Sequence, residues 1–200
     1  MKLPQITLIA LTGLGYKTQE HLDALKKSCE QIEFGEVKLI QLGNIKDIDS
    51  WNRSVIYDLP KYVQTDYCIF IHSDGYIINP DLWQSRWLKY DYIGAPWPLP
   101  SDNFSYRDEQ GEIQRVGNSV SLRSKKLMDL IATRPEEYFW SFKQKYGNCN
   151  EDGFITCHNR KWLESQGCKF APIFIAKYFS KEHTILENRD IEKTFMFHQI

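Results

Sequence analysis

In the stretch Ile69-Phe70-Ile71-His72-Ser73-Asp74-Gly75-Tyr76-Ile77-Ile78-Asn79-Pro80 a continuous apolar run meets a carboxylate and stops. Residues 67–71 are apolar at every position and rich in β-branched and aromatic side chains, which is how a strand buried on both faces of a parallel sheet reads. At its C-terminal end His72 and Asp74 lie two apart, so their side chains project to the same side if the strand continues that far. Gly75 lacks a Cβ and lets a ligand's phosphates or another stretch of backbone come close. Asn79 as N-cap and Pro80 in the first helical position predict a helix, so residues 73–78 form a loop held at both ends. In open α/β sheets, ligands bind in the crevice outside the carboxyl ends of the strands. Asp-Gly is also ordinary turn chemistry, so Asp74 by itself points to nothing more than a turn.

Towards the N-terminus, residues 6–11 are a β-branched run followed by Thr12-Gly13-Leu14-Gly15 and an amphipathic segment, 18–32, with Leu22, Leu25, Cys29 and Ile32 at helical spacing. Gly-x-Gly after a first strand is a short nucleotide signal, and a tight βα turn explains it equally well. Residues 37–42 form a second apolar run, and 50–63 a helix capped by Ser50 with a stripe of Val55, Ile56, Leu59 and Val63. Beyond the central stretch come a helix with Trp83 and Trp87, a short strand running into the rigid aromatic loop Pro96-Trp97-Pro98, and a polar, aperiodic loop over 99–114. Long loops of this kind tend to be lids or binding surfaces. A glycine-bearing strand over 115–123 leads to a helix capped by Ser124, and an aromatic-rich helix follows over 135–146. Asn150-Glu151-Asp152 opens a helix reaching to Gln166 with Gly167 as its C-cap. Strands alternating with helices predict an α/β fold with a mostly parallel, doubly wound sheet.

The length of 200 residues suits one domain, whether alone or within a longer polypeptide, and allows a sizeable core. With 25 basic and 26 acidic residues there is no electrostatic footprint for nucleic acid or an anionic membrane. No apolar run approaches the length of a membrane span, and residues 1–4 lead into a strand rather than a signal peptide, so a cytoplasmic location is expected. Cys29, Cys68, Cys149, Cys157 and Cys168 are odd in number and scattered, which predicts reduced thiols. Several tryptophans stand beside polar or loop-forming residues, a setting for stacking on sugars or bases, although core packing is the commoner use of such rings.

Four separated stretches ask for one explanation: His72-Ser73-Asp74-Gly75, Val116-Gly117-Asn118-Ser119, Asn150-Glu151-Asp152 and Phe197-His198. Each has a bland alternative: a turn for Asp74, helix-dipole capping for Glu151 and Asp152, and surface packing for His198. Taken together they resemble nucleotide-sugar glycosyltransferases of the GT-A fold. More closely, the chain resembles a small GT-A-like family, largely of unassigned function. The residues that carry this are Asp74-Gly75-Tyr76-Ile77-Ile78-Asn79-Pro80, Tyr90-Asp91-Tyr92-Ile93-Gly94-Ala95-Pro96-Trp97, and Val116-Gly117-Asn118 followed by Ser121-Leu122-Arg123-Ser124.

The resemblance implies a single GT-A (Rossmann-like) domain and a metal-dependent transfer of sugar from a nucleoside-diphosphate donor, expected to be UDP-linked, to a glycan or other hydroxyl acceptor. It places Mn²⁺ or Mg²⁺ on Asp74, with His198 completing the shell from the C-terminal segment. His72 stands where these enzymes carry the first aspartate, and could bind the metal or the ribose. Asp152 takes the part of general base in an inverting transfer, with Glu151 orienting the acceptor; a retaining enzyme needs no such base. Gly117 and Asn118 correspond to the loop under the donor sugar, Thr12 to the base and ribose position, and Arg53 to a cation that could reach the diphosphate. Two alternatives stay open: a catalytically silent sugar-binding or scaffold domain, suggested by His72, and a nucleotidyltransferase. The latter ranks lower because no glycine-rich, lysine-bearing phosphate loop follows Leu11. Donor sugar, acceptor and oligomeric state do not follow from the residues.

Overall fold

The computed structural model describes residues 1–147 and 150–199. In chain order the elements are β1 (Lys2–Gly13), α1 (Thr18–Ser28), β2 (Glu33–Leu42), α2 (Ile48–Tyr57), β3 (Tyr67–Ile71), β4 (Tyr92–Pro96), β5 (Val116–Ser124), α3 (Lys125–Ala132) and α4 (Glu136–Tyr146). They are followed by the single turn α5 (Glu151–Gly153), α6 (Arg160–Ser165), α7 (Ile173–Phe179), and the short β6 (Ser180–Lys181) and β7 (Met196–Phe197). β1, β2 and β3 run parallel, but β5 is antiparallel to both β3 and β4. The five-stranded sheet, ordered β2-β1-β3-β5-β4, is therefore mixed rather than mostly parallel. The apolar run in β5 has the same side-chain alternation whichever way the strand points, so its direction is set by its neighbours.

Both sheet faces are covered, which explains why β3 is apolar throughout. Ile69 and Ile71 join Ile6, Leu8, Trp87, Val120 and Phe195 in one core layer, whereas Cys68 and Phe70 join Ile9, Leu11, Val55 and Leu59 in another. Order reverses at β1, which has β2 on one side and β3 on the other. The crevice at the C-terminal ends of β1 and β3 is thus the switch point where this architecture opens a ligand site.

Several local expectations are corrected. Asp47, not Ser50, caps α2: its side chain accepts from the Ser50 N–H at 2.8 Å while the Ser50 hydroxyl accepts from the Asp47 N–H at 3.0 Å, a reciprocal box. Such a cap stabilises a helix by about 1 kcal/mol. Ser124 caps α3 as expected, accepting from the Leu127 N–H at 3.0 Å. Asn79-Pro80 opens only short 3₁₀ turns, and the Asn79 amide donates instead to the Thr194 carbonyl at 2.7 Å, clasping the C-terminal segment. The helix expected over 151–166 is broken at residues 154–158 by a widened π turn, where the backbone and side chain of buried Asn159 both donate to the Phe154 carbonyl. The aperiodic loop between β4 and β5 is well tied. Asp102 accepts from the Phe104 and Ser105 N–H groups, and buried Asp108 accepts from those of Gln110 and Glu112. Cys29, Cys68, Cys157 and Cys168 are free thiols, while Cys149 lies outside the described residues.

Candidate functional site

A cavity of about 670 Å³ opens at the switch point. It is walled by the segment after β1, the loop before α2, the turn after β3, the start of β5, the residues around Asp152 and the C-terminal return. Thr12, His72, Asp74, Asn118, Asp152 and His198 all line it, so residues up to 186 positions apart in the chain meet at one place. Its volume falls within the roughly 300–1,000 Å³ of small-molecule sites.

The turn after β3 is closed by the His72 N–H donating to the Gly75 carbonyl at 2.8 Å. The C-terminal strand lies against it: the Gln199 N–H donates to the Asp74 carbonyl at 2.8 Å and the Phe197 N–H to that of Tyr76 at 3.3 Å. That pairing brings His198 over Asp74, with Nε2 3.7 Å from Oδ1, and His72 Nδ1 stands 4.0 Å from the same oxygen. Gly75 is what permits it, since a Cβ there would come within 2.7 Å of His198 Cδ2 and 2.5 Å of Val120 Cγ2. The close approach anticipated at this glycine is made by the chain's own C-terminal segment.

One donor atom from each of His72, Asp74 and His198 lies within 4.8 Å of the others. Two imidazoles and a carboxylate suit a divalent ion that accepts nitrogen ligands, as Mn²⁺ does more readily than Mg²⁺, which prefers an all-oxygen shell. His198 is oriented for such a role by Glu182, which the sequence reading missed. Glu182 Oε1 is 3.1 Å from His198 Nδ1, and a carboxylate only accepts, so the ring holds a proton on Nδ1 and Nε2 is the atom turned towards Asp74. Asn118 fixes the pair. Its Oδ1 accepts from the Val120 N–H at 2.8 Å, which turns its Nδ2 outward to donate to Glu182. Asn118 adopts φ +81°, a left-handed conformation that asparagine tolerates better than most residues. Burial pushes the Glu182 carboxyl up, but the hydrogen bonds from His198 and Asn118 outweigh it and hold it below the ordinary carboxylate range. His72 packs edge-on to Trp51 and Phe70, and burial followed by the charge of His198 pushes its imidazole well below the usual value, so it is neutral.

Adjacent Glu151 and Asp152 point to different places. Glu151 is fully buried, paired with Arg123 at 3.0 Å, and its N–H donates to Asn52 Oδ1 at 3.0 Å. It does not line the cavity, so any influence on an acceptor would pass through its neighbours. Arg123, itself 1% exposed, is enclosed between the rings of Phe70 and Tyr92 and also donates to Ser121 Oγ and the Ser119 carbonyl. Asp152 instead faces the cavity. Burial, then the charge of Glu151, raises its carboxyl to about 7 against the opposing hydrogen bond from the Gly153 N–H.

Three further expectations are adjusted. Arg53 is not brought to the cavity; its guanidinium is held by Asp58 at 2.6 Å and Glu136 at 2.9 Å. The basic side chains among the described lining residues are instead Lys17 and Lys46. Gly117 does not line the cavity either: a Cβ there would lie 1.9 Å from the Trp97 ring, so its bareness accommodates that indole, and Asn118 and Ser119 face the space instead. The Thr12 hydroxyl is used internally, donating to the Tyr16 carbonyl at 3.0 Å.

None of the curated proteins matches the chain. Among solved structures, the crystal structure of a glycosyltransferase involved in the glycosylation of the major capsid of PBCV-1 is similar at 11% identity and a TM-score of 0.52. The match covers 96% of this chain and 93% of that one, and it shows a shared glycosyltransferase-like fold. Residues 36–198, most of the chain, match the model of a family described as "Protein of unknown function (DUF5672)", and the protein belongs to that family.

Proposed function

We propose that the protein is a metal-dependent glycosyltransferase that moves a sugar from a nucleoside-diphosphate donor, UDP-linked in the first instance, to a hydroxyl acceptor. The observation that carries this reading is the convergence of His72, Asp74, His198 and Asp152 on one cavity at the switch point of a glycosyltransferase-like fold. His72, Asp74 and His198 would hold Mn²⁺, and such an ion supplies Lewis-acid neutralisation of the charge that builds on a departing diphosphate. Lys17 and Lys46 add positive charge at the same rim.

Asp152 is the base of an inverting transfer. Its carboxylate takes the proton of the acceptor hydroxyl as the acceptor oxygen bonds to the anomeric carbon. The bond from that carbon to the diphosphate oxygen breaks, and its electron pair leaves with the nucleoside diphosphate. A carboxyl raised to about 7 is matched to this task, because a base poised near the working pH is both available and strong enough. Glu151 and Arg123 act behind it, Glu151 by its charge and Arg123 by holding Glu151 in place.

Titration with UDP and Mn²⁺, followed by thermal melting, tests the reading. A ligand at about 100 times its dissociation constant adds ~2.7 kcal/mol, a rise of roughly 5–10 °C for a chain of this size. UDP release from UDP-sugars should accompany it. Binding without release would favour the silent sugar-binding domain, and neither effect with any nucleoside diphosphate would overturn the assignment.

A further inference from the structure

A second cavity, of about 370 Å³, adjoins the first and shares Asn150, Asp152 and Glu182 with it. One side is aromatic. The Trp97 ring, seated over bare Gly117, stacks on Tyr106 with centroids 4.6 Å apart and planes at 20°, and Phe104 stands 61% exposed beside them. Tyr106 is held at φ +55°, an unusual conformation for a bulky residue, while its carbonyl accepts from the Gln114 N–H at 2.6 Å. The cavity is also lined by polar groups from other elements: Asn150, Asp152, His158, Glu182 and His183. His158 is backed by Phe142, stacked at 4.1 Å, so that wall is also built.

The two cavities differ in their cations. Lys17 and Lys46 line the first beside Asp47, Asp74, Asp152 and Glu182, whereas the described residues lining the second include two carboxylates and two histidines but no lysine or arginine. A phosphate or carboxylate ligand would meet two carboxylates there with no lysine or arginine to offset them, and a purely apolar one would leave the Asp152 carboxylate facing apolar groups. A pyranose ring meets neither difficulty, since it has an apolar C–H face for aromatic rings and a rim of neutral hydroxyls that donate to carboxylates.

We propose that this cavity is a saccharide subsite, in which a sugar ring packs against Phe104 and Tyr106 with its hydroxyl edge towards Asn150, Asp152 and Glu182. On the transferase reading above, the sugar seated there is the acceptor, and the shared Asp152 reaches its reacting hydroxyl. The acceptor is then a glycan rather than a peptide serine or a lipid alcohol.

Saturation-transfer NMR with a panel of methyl pyranosides and short gluco- and galacto-oligosaccharides tests this on the intact chain. At least one should bind, and Phe104→Ala, a change at an exposed side chain, should weaken it roughly 2–10-fold while leaving the UDP–Mn²⁺ melting shift in place. Tyr106→Ala, checked for folding by the same melting shift, should weaken it further. If no saccharide binds while UDP-sugar is still hydrolysed, or if Phe104→Ala and Tyr106→Ala both leave binding untouched, the subsite is overturned and the transferase reading stands. Saccharide binding that depends on Phe104, without any nucleotide binding, overturns the transferase reading and leaves the subsite.

Discussion

The turn after β3 and the broken helix that begins at Glu151 deliver one carboxylate each to the same cavity, in contrasting surroundings. Asp74 is 47% exposed and stands beside two imidazoles, an arrangement that suits the sharing of a cation. Asp152 is enclosed next to a second buried acid and is raised to about 7, which suits a group meant to gain and lose a proton. The difference comes from the supporting elements rather than from residue type. A C-terminal strand laid across the β3 turn supplies the imidazole of His198, whereas burial and then the charge of Glu151, partly offset by Arg123, act on Asp152.

The contrast can be broken by removing each partner in turn. Asp74→Asn should have the largest effect, abolishing both the Mn²⁺-dependent melting shift with UDP and sugar transfer. Asp152→Asn should separate the two readouts, lowering turnover by about 10²–10⁴-fold while the nucleotide–metal shift persists. If Asp152→Asn also lost the nucleotide–metal shift, or Asp74→Asn kept it, the division of labour would be wrong.

The Asp152 comparison also has a pH form. Because folding raises this carboxyl above its unfolded value near ~3.9, the native state binds more protons between about pH 4 and 7, so its contribution to stability falls as pH rises through that window. Activity should run oppositely, climbing with an apparent pKa near 7 as the base ionises. Asp152→Asn should melt higher than the parent at pH 8, where the parent bears the buried charge, and the gap should close at pH 4.

Arg123→Met should strand the Glu151 carboxylate in the core and cost about 3–5 kcal/mol, visible as an earlier denaturant midpoint at unchanged slope. The smallest change is expected for Glu182→Gln. An amide still accepts from His198 Nδ1 but loses the charge that sharpens the imidazole's lone pair, so Mn²⁺ affinity should fall by roughly 10–100-fold with the fold intact.

Local patterns account for the strands and for much of the constellation. β3 is apolar at alternating and intervening positions alike because both its faces are covered, and His72 and Asp74 reach one crevice because they follow its end. The Ser124 cap was also readable, since a cap and its target N–H groups are neighbours in the chain. Arg53 shows where such reasoning stops. The resemblance made it a cation that could reach the diphosphate, but Glu136, 83 residues away, claims it. Glu151 and Asp152 are indistinguishable as letters at a helix start, and only the placement of Arg123 on the buried face of β5 separates them.

Residue order alone thus determined that a carboxylate would follow a doubly buried strand and that glycine would stand beside it, because periodicity and Cβ sterics act over a few neighbours. Tertiary structure decided the direction of β5, the partner of Arg123, the second cavity lined by Trp97 and Tyr106, and the entry of Glu182 as the group orienting His198. Each of these depends on contacts between segments far apart in the chain. Their energies come from burial and charge pairing, which no short window of sequence contains.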